Sequence, residues 1–222
     1  MAAAGATLAK ERNQPTSAPN LIYLPEAGFS LDQFNADVQS VLESSDCCIA
    51  VVSRGLVDQN GNYLIPQTAS DPMQTTSIGE FLSSALKGQG LHTEFVALGR
   101  STHFSSHTIS HADSAEASMA AAAAIKGLIG GADDKMVVVT RGDSEPYHAE
   151  TSLVPLDEVM NAQKAFPEQW INEDQISISY QFNKYMNALI QGEHTVAYEH
   201  GVPQFAKMQM ELVEKKLESS AV

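Results

Sequence analysis

Short apolar runs alternate with longer amphipathic stretches along the first two thirds of the chain. Leu21–Leu24 and Cys47–Ser53 are apolar runs, and they end at Pro25 and at Arg54–Gly55. Between them, apolar side chains recur at the spacing of one helical face from Leu31 to Leu42, after Ser30 as an N-cap. Short apolar runs that end at Pro or Gly beside a charge predict a β-α-β unit with buried parallel strands.

The alternation of strand-like and helix-like segments continues downstream of this unit. Strands that alternate with helices predict an α/β fold in three layers, with a mostly parallel sheet, helices on both faces and a helical C-terminal region. We predict three parts: an N-terminal helix and linker over 1–19, an α/β domain over 20–155 and helices over 156–222. The further predicted elements are helices over 2–12, 78–86, 113–129, 156–164, 174–190 and 203–218, a turn over 58–62, and strands over 93–98 and 135–140.

Composition and charge narrow the classes of partner. The chain has 222 residues, which is enough to bury a substantial core. Its formal net charge of -14 argues against nucleic acid and anionic membranes as partners, because phosphate backbones favour clustered Lys and Arg. A small phosphorylated ligand needs only a few local cations and stays open. No segment approaches the ~18 apolar residues of a membrane span.

Two features of the sequence indicate the cytoplasm. Cys47 and Cys48 are adjacent, so they do not make a disulfide framework. They predict two small buried side chains in a reducing compartment. The Ala-rich start from Met1 to Leu8 is followed at once by charged residues and lacks the apolar core of a signal peptide.

Several short motifs occur in one order over nearly the whole chain. They are Leu21–Glu26, Phe29–Asp32, Val51–Ser53 with Gly55, Asp58 with Gly61, Asp113 with Glu116–Ala117, Met136–Arg141, Pro146–Tyr147, Leu153 with Pro155–Leu156, and Leu189–Glu193. In this order the run from Asn20 to about Lys216 resembles the second half of a bacterial 6-phosphofructokinase of the pyrophosphate-dependent branch.

The resemblance implies a function and a gap. In that family two similar α/β domains enclose the active site, and phosphoryl transfer goes to the 1-hydroxyl of fructose 6-phosphate. The donor-binding Gly-rich loop, the Asp-bound Mg²⁺ and the catalytic aspartate lie in the first domain, and this chain has none of those motifs. Because transfer needs both phosphates positioned and their charge neutralised, we expect the chain alone to be inactive, with no catalytic residue and no bound cofactor. Mg²⁺ is expected only with a complete enzyme, and the donor, pyrophosphate or ATP, stays open.

The resemblance also assigns the candidate substrate-binding residues. Arg54 stands where the family has a glutamate that contacts fructose hydroxyls. Arg100 and His103 stand where it has a tyrosine and the arginine that grips the 6-phosphate, and Glu94 falls near another phosphate-binding arginine. Arg54, Arg100 and His103 are the predicted sugar-phosphate residues, since cations at strand ends can hold a phosphate. The alternative is that Arg54, Arg100 and Arg141 form surface ion pairs.

Three evenly spaced histidines raise the question of a metal site. His103, His107 and His111 are spaced by four residues, so on a helix they would share a face, as zinc ligands can. The segment is dense in Ser and Thr, which favours a loop, and no Cys lies nearby. We therefore predict no metal site.

Two function hypotheses follow. The chain is the sugar-phosphate half of a glycolytic 6-phosphofructokinase, a fragment or one chain of a split enzyme, with fructose 6-phosphate as ligand. A phosphofructokinase-like chain that supplies the missing half, or a homo-oligomer, would then be its partner. Alternatively it is a catalytically silent regulatory or scaffolding subunit that binds an active homologue. A third possibility is a chain with no stable fold, because the cut exposes a face that the missing domain would cover.

Overall fold

The computed structural model describes residues 1–11, 13–14, 16–65, 77–98, 108–142, 146–160, 165–193, 195–204 and 209–211. The helices are α1 (Ala2–Gly5), α2 (Leu31–Leu42), α3 (Ile78–Gly88), α4 (His111–Ile129), α5 (Leu156–Val159) and α6 (Tyr180–Leu189), with short 3-10 turns at Ala6–Ala9, Pro25–Ala27 and Glu168–Trp170. The strands are β1 (Leu21–Tyr23), β2 (Ala50–Val52), β3 (Lys135–Arg141), β4 (Ala149–Pro155), β5 (Tyr198–Glu199) and β6 (Val202–Pro203).

The predicted β-α-β unit is present. β1 and β2 pair in parallel, with Ile22 opposite Val51, and α2 connects them. Ser30 caps α2, because its hydroxyl oxygen accepts a hydrogen bond from the backbone N–H of Gln33 at 3.4 Å. The helical spacing read from the sequence places Phe34 of α2 in the core, where only 2% of it is exposed.

The α/β class is confirmed, but the sheet is less parallel than the alternation predicts. Among the strands of the described chain only β1 and β2 pair in parallel, and β3 pairs antiparallel with β4. The sequence pattern missed β4, which follows β3 after a connection shorter than the dozen or more residues of a parallel crossover. A short connection of this kind forces an antiparallel hairpin. The strand predicted over 135–140 pairs with β4 in a sheet separate from that of β1 and β2.

Two further expectations are wrong. Residues 93–98 do not form a strand, and Val96 and Leu98 are 71% and 61% exposed. Phe95 packs on a helix instead of a neighbouring strand, and its ring lies so close to Gly79 of α3 that a Cβ would not fit there. Cys47 is exposed, not buried, because the segment before β2 lies at the surface.

The N-terminal and C-terminal helices are shorter than predicted. The first helical stretch ends at Ala9, and α6 begins at Tyr180. The residues before α6 form a turn in which the Asp174 carboxylate accepts hydrogen bonds from the backbone N–H groups of Ile176 and Ser177, each at 3.0 Å. Because these side-chain hydrogen bonds replace helical backbone bonds, the helix does not extend back to residue 174. The helix predicted over 203–218 falls mostly outside the described residues.

Two clusters of buried side chains form the core. The first lies between the parallel pair, α2 and α3, and the second joins the back of β1 to the segment around α6. We call residues 1–65, 77–88 and 165–190, which supply both clusters, the core region. The first cluster is Leu21, Tyr23, Phe29, Phe34, Val38, Leu56, Ile78, Leu82 and Leu86. The second is Ala4, Ile22, Leu24, Phe166, Ile178 and Phe182. The division at 19 and 155 remains a prediction, and the second cluster draws side chains from all three predicted parts.

The described residues between Leu86 and Phe166 contribute no fully buried side chain. Here α4 packs on the β3–β4 hairpin, and Gly127 allows the approach, since a Cβ at that position would lie 3.1 Å from Leu153 Cδ1. We call residues 108–142 and 146–160 the hairpin region. Among the described residues, no helix combines the length and the apolar character that crossing a membrane requires.

Candidate functional site

The carboxyl ends of β1 and β2 meet at one edge, as the β-α-β unit requires. The backbone N–H of Ser53 donates to the Tyr23 carbonyl at 3.0 Å. A Cβ added to Gly55 would lie 3.8 Å from Pro25 Cγ, so the turn after β2 lies against the turn after β1. Arg54 is exposed in this turn. The structure therefore places Arg54 at the edge of the sheet where ligands of α/β proteins bind.

The acidic residues beside this edge support the backbone. The Glu26 carboxylate accepts a hydrogen bond from the backbone N–H of Phe166 at 3.0 Å. The Asp58 carboxylate accepts from the backbone N–H groups of Asn60 and Asn62, each at 2.8 Å. The bonds from Asn62 are the main cause that lowers the pKa of Asp58. The Asp58 carboxylate thus stabilises its own turn, and the Glu26 carboxylate joins the turn after β1 to the distant segment at Phe166.

A polar cleft of about 520 Å³ opens next to the parallel pair, and its lining is acidic. On its wall the Tyr23 hydroxyl donates to the Asp37 carboxylate at 2.6 Å, and Gln33 donates to the same group at 2.8 Å. Burial and the bond to Asp37 raise the pKa of Tyr23 well above its usual value. No Lys or Arg of the described chain lines the cleft, so its charge repels a phosphate. Its lining residues are Tyr23, Gly28, Ser30, Asp32, Gln33, Asp37, Gln59, Glu173, Asp174, Gln175 and Ile176.

A second cleft lies between the start of α4 and the end of α6. The first backbone N–H groups of α4 are already bonded: His111 donates to the Gly192 carbonyl at 2.9 Å and Ala112 to the Gln191 carbonyl at 3.1 Å. Asp113 and Glu193 add negative charge to the lining. The helix N-terminus is therefore closed by the chain itself and does not attract an anion.

An arginine that is not among the predicted substrate-binding residues is held between two aromatic rings. The guanidinium carbon of Arg141 lies 4.6 Å from the centre of the Tyr147 ring and 4.2 Å from that of Tyr185. Its Nη2 donates to the Tyr185 carbonyl at 2.8 Å. Within the described residues Arg141 is held by rings and a carbonyl, and no carboxylate of those residues pairs with it. The alternative of surface ion pairs therefore stays a prediction.

The neighbours of Arg141 form a small polar cluster at the end of the hairpin. The Tyr147 hydroxyl donates to the Glu116 carboxylate of α4. Burial, and then this bond, raise the pKa of Tyr147 to about 12. His148 Nε2 lies 3.0 Å from the Glu150 carboxylate. The cluster ties α4 to the hairpin.

Metal binding has no support in the described residues. They contain no group of three or more His, Cys, Asp or Glu side chains that could hold an ion. Of the three evenly spaced histidines, His103 and His107 lie outside the described residues. His111 is the first residue of α4, and its backbone bonds to Gly192.

Most of the curated relatives of this chain, and two solved structures that resemble it, carry the names of one group of enzymes. The chain is 28% identical over 221 residues to the pyrophosphate–fructose 6-phosphate 1-phosphotransferase of Halomonas elongata, covering 98% of this chain and 52% of that protein. It resembles the crystal structure of a pyrophosphate-dependent phosphofructokinase from Nitrosospira multiformis with a TM-score of 0.78 and 26% identity, covering 99% of this chain and 52% of that one. The chain is homologous to one half of the pyrophosphate-dependent phosphofructokinases.

A second solved structure resembles the chain, whereas no family model does. The pyrophosphate-dependent phosphofructokinase from Marinobacter aquaeolei has the same fold, with a TM-score of 0.76 at 24% identity over 97% of this chain and 51% of that one. No family model matches the chain. The resemblance to a C-terminal half of these phosphofructokinases is confirmed, and the chain spans about half the length of the curated relatives it matches.

The structure describes only one of the three predicted sugar-phosphate residues of this phosphofructokinase-like chain. Arg54 lies at the predicted edge, whereas Arg100 and His103 lie outside the described residues, so the grouping of the three stays a prediction. Glu94 is exposed, which leaves a carboxylate where the resemblance expects a phosphate-binding arginine. The sequence pattern did not predict that Arg141 lies between two aromatic rings, because Tyr185 is 44 residues away from it along the chain.

Proposed function

We propose that the chain is the sugar-phosphate-binding half of a 6-phosphofructokinase and is inactive alone. In this proposal fructose 6-phosphate binds at the carboxyl ends of β1 and β2, and another chain supplies the donor half that delivers phosphoryl from pyrophosphate or ATP. The observation that carries the proposal is the match of nearly the whole chain to half of enzymes named for this reaction. Mg²⁺ belongs to the donor half, and no residue of this chain is assigned to it.

The geometry of the strand ends supports a binding role for Arg54. Its backbone is held in place by the Ser53 bond to β1 and by the contact of Gly55 with Pro25. A guanidinium on such a support offers two parallel donors to a phosphate or to sugar hydroxyls. Arg100 and His103 complete the site in this proposal, with His103 as a pH-dependent cation. The free thiols of Cys47 and Cys48 agree with the cytoplasmic, glycolytic setting that the proposal requires.

A titration of the purified chain with fructose 6-phosphate tests the proposal. We expect saturable binding that Arg54→Ala and Arg100→Ala each weaken by about tenfold, the loss that about 1.4 kcal/mol represents. Arg54→Glu, which restores the residue that the resemblance expects, separates two roles of Arg54: it abolishes binding if the cation holds phosphate, and it preserves binding if the position serves sugar hydroxyls. Lys87→Ala removes the same charge from an exposed end of α3 and should bind as the wild type does.

The second candidate function is a catalytically silent regulatory or scaffolding subunit of an active homologue. The observation that favours it is the loss of expected cations, since Glu94 is an exposed carboxylate and the neighbouring cleft is acidic. In that case fructose 6-phosphate does not bind at any concentration tested, and the chain co-purifies with a full-length homologue. Absence of sugar-phosphate binding overturns the first proposal.

A further inference from the structure

The loop after β2, which carries Arg54, is bonded along its length to the loop after β1. At its start the backbone N–H of Ser53 donates to the Tyr23 carbonyl at 3.0 Å. At its end the Val57 carbonyl accepts from the backbone N–H of Phe29 at 2.8 Å. Because Arg54 lies between these two backbone bonds, the place of its loop depends on the place of the loop after β1.

Side-chain and glycine contacts bring the same two loops together. A Cβ added to Gly55 would lie 3.8 Å from Pro25 Cγ, and one added to Gly28 would lie 3.9 Å from Gln59 Cα. Gly28 has a φ of +64°, a backbone conformation that favours glycine, and it turns the first loop back toward the second. The turn at Pro25 is therefore the support on which the loop of Arg54 rests.

Glu26 attaches this support to the second core cluster. It is the middle residue of the 3-10 turn Pro25–Ala27, and its carboxylate accepts a hydrogen bond at 3.0 Å from the backbone N–H of Phe166, 140 residues away along the chain. Phe166 is a firm anchor because its ring is buried, with its centre 5.2 Å from that of Phe182 and 5.4 Å from that of Trp170. The hydrogen bond thus joins the turn to a closely packed part of the core.

A carboxylate at this edge of the sheet works against an anionic ligand, so Glu26 serves the site in another way than by binding. We propose that Glu26 is a positioning residue of the sugar-phosphate site. Through its hydrogen bond to Phe166 it fixes the turn after β1, and through that turn it sets the place of the loop that carries Arg54. This inference rests on the proposed function and adds the residue that orients its described cation.

Three substitutions separate the hydrogen bond of Glu26 from its charge. Glu26→Gln keeps the length and an acceptor oxygen without the charge, so it should behave as the wild type does. Glu26→Asp keeps the charge but is one methylene shorter, so it should behave as Glu26→Ala does. Glu168→Ala removes the same charge at an exposed position two residues from Phe166, and it is the control.

Amide hydrogen exchange of the full chain without ligand tests the mechanical part of the inference. Glu26→Ala and Glu26→Asp should speed exchange over 53–57 by about fivefold, the factor that one lost hydrogen bond represents, while exchange in α3 stays at the wild-type rate. Unchanged exchange over 53–57 would overturn the inference. An equal increase in α3 would also overturn it, because that result means global destabilisation, and so would an effect of Glu26→Gln as large as that of Glu26→Ala.

A double-mutant cycle with fructose 6-phosphate as the titrant tests the link to Arg54. We expect Glu26→Ala to weaken binding by about tenfold, as Arg54→Ala does, and the double variant to bind no more weakly than either single variant. Two residues that act independently would instead give a loss of about a hundredfold in the double variant. That additive result would overturn the inference, because a purely structural effect of Glu26 does not depend on the side chain of Arg54.

Failure of the inference is distinguishable from failure of the proposed function. If the wild type binds fructose 6-phosphate and Glu26→Ala changes neither binding nor exchange over 53–57, the proposed function stands and the inference ends. If the wild type binds no fructose 6-phosphate, the proposed function ends, and the exchange results by themselves show whether Glu26 sets the place of the Arg54 loop.

Discussion

The core region and the hairpin region contain similar apolar side chains, but only the core region buries them fully. In the core region Phe34 and Phe182 are 2% and 0% exposed, whereas in the hairpin region Ile125 and Leu128 are 59% and 70% exposed. The two-stranded sheet of the core region is covered on both sides, and that of the hairpin region on one. The number of covering layers, not the hydrophobicity of a segment, decides whether its apolar residues are buried.

One aromatic stack connects the two regions. Trp170 packs on Tyr185 with ring centres 4.9 Å apart, and Tyr185 packs on Arg141. Arg141 in turn covers the Tyr147 ring, while Phe182 contacts Trp170 on the core side. The stack gives the hairpin region one firm attachment to the core.

The largest expected difference between the regions is in core truncation. Phe182→Ala removes a fully buried ring that packs on Phe166 and Trp170, so we expect a loss of about 3–5 kcal/mol in the free energy of unfolding. Leu128→Ala should change it by less than about 0.5 kcal/mol, because that side chain is already in water. Urea unfolding followed by circular dichroism and by Trp170 fluorescence measures both. Equal losses would contradict the contrast between the regions.

The attachment through Arg141 should have an intermediate effect. Arg141→Met removes the cation from between two rings and one hydrogen bond, and we expect a loss of about 1–2 kcal/mol. Arg141→Lys should recover only part of it, because an ammonium group does not stack as a planar guanidinium does. A double-mutant cycle with Tyr185→Leu measures the coupling, and Lys135→Met on the same strand is the control. Zero coupling energy would show that the stack does not hold the hairpin.

Removal of the N-cap should have different effects on α3, in the core region, and on α4, in the hairpin region. Ser77 forms a capping box with Glu80, so Ser77→Ala should lower the free energy of unfolding by about 1 kcal/mol. Ser110 caps α4 and also donates to the Leu189 carbonyl at 2.7 Å. Ser110→Ala should mainly speed amide exchange in the first turn of α4, because we expect the hairpin region, which has no fully buried side chain among its described residues, to open without unfolding the core. Ser114→Ala is the control, and a purely global effect of Ser110→Ala would contradict independent opening.

The smallest effect concerns the turn at Asp58. Its pKa is lowered from the usual 3.8, so the ionised form stabilises the folded state above that value, and the stabilisation is lost as the pH falls through the lowered pKa. Melting temperatures measured across the acid range should therefore fall more steeply with decreasing pH for the wild type than for Asp58→Asn. Asp46→Asn, at an exposed position before β2, is the control. Parallel curves for wild type and Asp58→Asn would contradict the role of the turn.

Local signals in the sequence predicted the elements with local causes. The Ser30 cap and helical spacing located α2, and the Asn-Gly pair located the turn that Gly61 completes with a φ of +81°. The strand over 93–98 failed because a strand exists only with a partner, and its apolar pattern does not say whether one is present. The place of Arg54 followed from strand order, whereas the acidic cleft combines residues from 23 to 176 and had no local signal.

The sequence alone determined the α/β class, the first β-α-β unit, the long helix and the likeness to half of a phosphofructokinase. Each of these depends on neighbours along the chain or on an ordered series of short motifs. Only the tertiary structure decided that β3 turns back on β4, that Arg141 lies between Tyr147 and Tyr185, and that α4 keeps an uncovered apolar face. These features depend on which distant segments meet, and a periodic apolar pattern is the same whether or not a partner covers it.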